Sequence, residues 1–155
     1  MPINIRQKGQ EGEREVARAL NTIVRRVLAK HGIPMPPVDP VQRNQNQSAV
    51  GGGDLSGTFG LSIEIKRQEQ LAINTWWAQC EKSANRNNEE PVLVYRANRQ
   101  SWRVVLYVEL AIWVPPGSPS TKHSKVRAEI SWDTFLSWFE YWVDAKINSG
   151  EKVKL

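Results

Sequence analysis

The chain has 155 residues, a formal net charge of +5 and a pI near 9.6, which suits one globular domain over residues 1–155 and an anionic partner. A single cysteine, Cys80, excludes an intramolecular disulfide framework, and no apolar run reaches the roughly 20 residues that a membrane span needs. No apolar leader opens the chain, so a cytoplasmic protein without a membrane partner is expected.

Residues from about Gly9 to Lys30 place Val16, Ala17, Leu20, Ile23, Val24, Val27 and Leu28 on one stripe, the pattern of an amphipathic helix. Glu11, Arg14, Glu15, Arg18, Asn21, Arg25 and Arg26 form its polar side. Glu13 extends the apolar stripe, where a carboxylate needs a partner. The bland alternative is that Glu13 favours the positive end of the helix, an effect of about 0.3–1 kcal/mol. His31 follows this helix, and neither it nor His123, placed in a polar loop, has a partner at zinc spacing.

Pro34, Pro36, Pro37 and Pro40 break the helical pattern and predict an extended connection. Residues 43–53 contain too few apolar side chains to fold alone, which predicts a loop whose Arg43, amides and Ser48 can meet phosphates. Asp54-Leu55-Ser56-Gly57 reads as a short strand, and Thr58-Phe59-Gly60 as a three-residue hairpin turn with Gly60 left-handed. The next strand, Leu61 to Gln68, alternates so that Ile63 and Ile65 face one side while Glu64, Lys66 and Gln68 face the other.

A turn centred on Phe59 pairs Asp54 with Glu64. Opposed residues of a hairpin have Cβ atoms about 4.5–5.5 Å apart, and like charges there destabilise unless compensated. A divalent cation compensates, since hard ions such as Mg²⁺ take one or two carboxylates plus phosphate oxygens and water. Lys66, on the same face, can position the attacking water and offset charge on a phosphate. The solvated face of an ordinary strand is the competing reading.

Asn74 can cap a helix from Thr75 to Asn87 carrying Trp76, Trp77, Cys80 and Lys82, with Cys80 as a packing residue. Strands at Pro91–Arg96 and Trp102–Val108 follow, joined by residues 97–100. Trp113 to Ser120 read as a proline-rich loop, with further positive charge at residues 121–127. Ser131 caps a final helix, Trp132–Ile147, whose stripe of Phe135, Leu136, Phe139, Trp142, Val143 and Ile147 is widened by Trp138 and Tyr141. Such aromatics are core, base-stacking or subunit contacts.

Lys8-Gly9-Gln10-Glu11-Gly12-Glu13, then Gly53-Asp54, then Ile63-Glu64-Ile65-Lys66 resembles the archaeal-type Holliday junction resolvases, a branch of the PD-(D/E)xK nuclease superfamily. The segments Lys66–Glu69, Trp76-Trp77 and Pro91–Arg96 are also similar to bacteriophage resolvases of this kind. The resemblance covers about residues 6–110, with Asp54 and Glu64 closer in sequence than in the archaeal proteins. It implies an α/β (α+β) restriction-endonuclease-like core, a mixed sheet flanked by helices.

It further implies an Mg²⁺-dependent endonuclease, with Mn²⁺ as substitute, that cuts four-way DNA junctions as a homodimer. Glu13, Asp54, Glu64 and Lys66 would be catalytic. Asp54, Glu64, the Ile65 carbonyl and Glu13 would hold metal, and helix 131–147 is a candidate dimerisation element. Lys8, Arg14, Arg43, Ser48, Arg67 and Gln68 are the candidate DNA contacts, Ser48 because resolvases of this kind carry an important Ser in the loop. Another repair or restriction-like endonuclease of the superfamily, or a DNA-binding protein that keeps the fold without turnover, are the alternatives.

Overall fold

A computed structural model of the chain describes residues 4–45, 53–118 and 122–150. The first helix, α1, runs over Ile5–Lys30, four residues earlier than its apolar periodicity indicates, because the Asn4 side chain accepts a hydrogen bond from the Gln7 amide and caps an extra turn. Glu13 therefore stands beyond the first turn. The helix-end explanation for it loses its basis, since dipole effects fall off within that turn.

Four strands, β3 (Leu61–Arg67), β4 (Glu90–Arg96), β5 (Arg103–Ile112) and β6 (Lys122–Ser131), make a sheet in that order. β3 and β4 are parallel, so the chain must cross over between them, and α2 (Ile73–Asn87) is that crossover. The β4–β5 and β5–β6 pairs are antiparallel. Two short strands, β1 (Gln42–Arg43) and β2 (Leu55–Ser56), pair antiparallel beside the sheet, and α3 (Trp132–Asn148) closes the fold behind its Ser131 cap.

Each face of the sheet has its own core. Ile63, Ile65, Val92, Val94, Val104 and Leu106 pack on α1 and α3, through residues such as Val16, Leu20, Val24, Phe135 and Phe139. Leu93, Tyr95 and Val105 pack on α2 through Trp76, Trp77 and Cys80. Because β3 alternates, Ser62, Glu64 and Lys66 share the α2 side.

Several expectations are corrected. Leu55–Ser56 pairs with β1 and not with β3 as a hairpin, so residues 42–43 form an unforeseen strand. α2 begins at Ile73 behind Ala72, without a side-chain cap, so Asn74 lies inside it; burial of Trp76 and Trp77 outweighs the missing cap. His123 lies in β6, not in a loop. In β6, Val126, Ala128 and Ile130 alternate with polar residues as a strand does, whereas the polar residues 122–125 give no such signal. The order of the strand comes from a ladder running from Arg103–Ser131 to Ile112–Lys122.

The stripe of α3 is mostly spent inside the molecule. Phe135, Phe139 and Val143 are fully buried, Leu136, Trp138, Trp142 and Ile147 pack against the same core, and Tyr141 is exposed. Among the described residues no helix is long and apolar enough to cross a membrane.

Candidate active site

Residues Gly53 and Asp54 are fixed against the free edge of β3. The Asp54 amide donates to the Ile63 carbonyl at 2.7 Å, and its carboxylate Oδ2 accepts from the Ile65 amide at 2.7 Å. On the other side Asn44 donates its amide to the Asp54 carbonyl at 2.8 Å and its Nδ2 to the Gly53 carbonyl at 3.1 Å. Asp54 thus reaches β3 through one main-chain bond and its own side chain.

This approach requires glycine at position 53. A Cβ there would stand 2.5 Å from the Ile63 carbonyl oxygen and 2.7 Å from the Ile63 nitrogen. The turn after β2 is equally constrained: Gly57, Phe59 and Gly60 all have positive φ. Thr58 Oγ1 donates to the Leu61 carbonyl, Trp142 Nε1 donates to the Phe59 carbonyl at 2.9 Å, and the Phe59 ring meets Phe139 edge-on. α3 therefore pins the turn that sets Asp54 beside Glu64.

Glu64 is half-buried and its carboxyl is pushed up to about 8. Burial is the first cause, the charge of Asp54 the second, a hydrogen bond shared with Asp54 adds to it, and Lys66 and the Ser83 hydroxyl pull the other way. Two carboxylates and a lysine thus meet at one strand edge. Ser83, on α2, was not foreseen, because its approach depends on how the crossover helix lies over β3. Cys80 is fully buried, its thiol is pushed up to about 12, chiefly by burial, and it donates to the Ser62 carbonyl, as suits a packing residue.

The Asp54–Glu64 pair is chemically suited to a hard cation. The charge that pushes the Glu64 carboxyl upward is what a divalent ion would neutralise. The N–H and C=O of one strand residue point the same way, so the Ile65 carbonyl shares the free edge to which Ile65 donates its amide. Among the described residues no three His, Cys, Asp or Glu side chains gather as one metal-binding group.

Glu13 is instead engaged by Arg43, whose Nε donates to Oε2 at 2.6 Å, both side chains being about four-fifths buried. Arg43 stands opposite Leu55, next to Asp54, so the pair adjoins the acidic edge. Of the other candidates, Lys8 pairs with Glu69 at 3.7 Å and Arg67 with Glu11 at 3.8 Å, while Arg14 and Gln68 are exposed. Gly12 lets α1 lie close to β3: a Cβ there would meet Trp102 at 3.3 Å and Arg67 and Ile65 at 3.8 Å. Ser48 lies outside the described residues.

A mixed sheet between helices, with an Asp and a Glu-x-Lys at its free edge, is the core of a PD-(D/E)xK nuclease. Residues 4–135 match the model of the family described as "Phage putative PDDEXK endonuclease", and the chain belongs to that family. No curated protein matches the chain.

Proposed function

We propose that the protein is an Mg²⁺-dependent DNA endonuclease, with Mn²⁺ able to substitute, that resolves four-way junctions by paired symmetric cuts as a homodimer. The observation that carries the hydrolytic reading is buried Asp54 beside half-buried Glu64, with Lys66 on the same face of β3 as Glu64. Junction selectivity and the homodimer rest on the sequence resemblance to resolvases.

Asp54, Glu64 and the Ile65 carbonyl would hold the ion, and Glu13, positioned by Arg43, would bind a second ion or its water. A bound divalent ion supplies positive charge at the scissile phosphate and acidifies nearby water. Lys66 orients the attacking water and offsets charge gathering on the nonbridging phosphate oxygens. Ser83 holds the Glu64 carboxylate, and Lys8, Arg14, Arg43, Ser48, Arg67 and Gln68 bind the DNA backbone, which gives affinity without sequence information.

Family membership also favours a second reading, a PD-(D/E)xK endonuclease without junction preference. End-labelled four-way junction, fork, linear duplex and single-stranded DNA, with and without Mg²⁺ and with wild type and Glu64→Ala in parallel, separate the two. Paired cuts in the junction alone that need metal and Glu64 establish resolution. Equal cutting of every substrate establishes the broader nuclease, and no cutting with any divalent metal overturns both, leaving a non-catalytic DNA-binding protein.

A further inference from the structure

Between α1 and the segment Val38–Gln45 lies an open cavity of about 540 Å³ whose wall carries three arginines, Arg14, Arg18 and Arg43, together with Gln42 and Gln45. Arg14 and Arg18 stand one helical turn apart on α1 and are exposed. Neither makes an ion pair with any described residue. Among the described residues that line the cavity the one carboxylate is Asp39, and it is paired with Arg25 at 3.5 Å. The wall is therefore cationic, rich in hydrogen-bond donors and open enough for a charged chain to lie across it.

Its position matters as much as its charge. Arg43 lines this cavity and at the same time donates Nε to Glu13, and it sits on β1, whose partner β2 continues directly from Asp54. A guanidinium offers five donors in a planar fork, so one arginine can serve a carboxylate and a phosphate together. Asn21, beneath the cavity, clamps both polar groups of Val41, donating Nδ2 to its carbonyl at 2.8 Å and accepting its amide at 2.9 Å. The wall that bears Arg43 is thereby fixed to α1.

We propose that this cavity is a phosphodiester subsite for a DNA strand, in which Arg14 and Arg18 grip the backbone and Arg43 links the bound phosphate to Glu13. The subsite deepens the nuclease reading, on which the choice of DNA as ligand rests. It adds Arg18 and Gln42 to the contacts and directs the strand along α1 toward the edge of β3.

The test is anisotropy of fluorescently labelled duplex and four-way junction, without divalent ion, over a series of NaCl concentrations. It compares wild type, Arg14→Ala/Arg18→Ala and, as a charge-matched control at the far edge of the sheet, Lys122→Ala/Lys125→Ala. Each phosphate contact contributes about 0.9 to the slope of log affinity against log salt on duplex DNA, so the arginine double variant is expected to be shallower by about 1.8. The control should change far less. Equal slopes for the two double variants, or a wild-type slope in the arginine variant, overturn the subsite. Metal-dependent cleavage alongside an unchanged slope removes the subsite and leaves the nuclease reading, whereas a shallower slope in a protein that cuts nothing keeps the subsite and removes the nuclease.

Discussion

Glu11 and Glu13 lie on the same stretch of α1, and their partners separate them. Glu11 is largely exposed and reaches Arg67 at 3.8 Å, a contact of the kind that contributes little. Glu13 is mostly buried against Arg43 at 2.6 Å, one strand away from Asp54. Glu13→Ala is therefore expected to lower the single-turnover cleavage rate by about a hundredfold or more, the scale of losing one group that acts on transition-state charge. Glu11→Ala should stay within about threefold, and equal losses in the two variants would refute the assignment. Glu64 and Lys66 were legible in the sequence because strand alternation alone gives their side chains a common face. The Arg43–Glu13 pair and the Ser83 contact were not, since each joins elements distant along the chain and depends on where α1 and α2 cross the sheet.

At the level of elements, the acidic edge depends on a main-chain approach that admits no side chain. Asp54 is bonded to β3 through the Ile63 carbonyl and the Ile65 amide, and the atoms facing Gly53 are backbone, which cannot rotate away. Gly53→Ala should cost about 1–3 kcal/mol, as overpacking does, read as a lower urea midpoint with an unchanged m-value. It should also reduce cleavage by more than the unfolded fraction explains, because the displaced residue carries Asp54. An unaltered midpoint and rate would show that the segment is not held as described. The proximity of Asp54 to Glu64 was readable from the turn residues, whereas the partner of β2 was not. A two-residue strand such as Gln42–Arg43 leaves no periodic signal, and Leu55 and Arg43 pair only because Gly57 brings the chain against Pro40, whose carbonyl a Cβ there would overlap. β6 shows the limit in part: Val126, Ala128 and Ile130 alternate with polar residues, but the polar residues 122–125 are drawn into the strand by pairing with β5.

Across the whole molecule, two carboxylates set opposite pH limits on stability. Asp144, on α3, is held below the usual carboxylate range by hydrogen bonds from His31 and Lys30 at the end of α1. Its contribution is present above its unfolded pKa and is lost as pH falls through the lower folded value. Glu64 works the other way. Its folded value of about 8 exceeds the ordinary 4.5, so its contribution is complete below 4.5 and disappears as pH rises toward 8. The metal-free protein should therefore be most stable at mildly acid pH and lose stability toward pH 8. Divalent ion should reverse that limb, since binding needs the ionised carboxylate and stabilises the folded state by mass action. Thermal unfolding from about pH 5 to about pH 8.5, in chelator and in excess Mg²⁺, is expected to show a metal-free Tm that falls by several degrees as pH rises. Mg²⁺ should abolish the fall, and Glu64→Gln should flatten the metal-free limb while losing the gain from Mg²⁺. A metal-free Tm that climbs steadily over this range, or a gain from Mg²⁺ that survives in Glu64→Gln, would mean that the charge strain at the edge of β3 is not what the ion relieves.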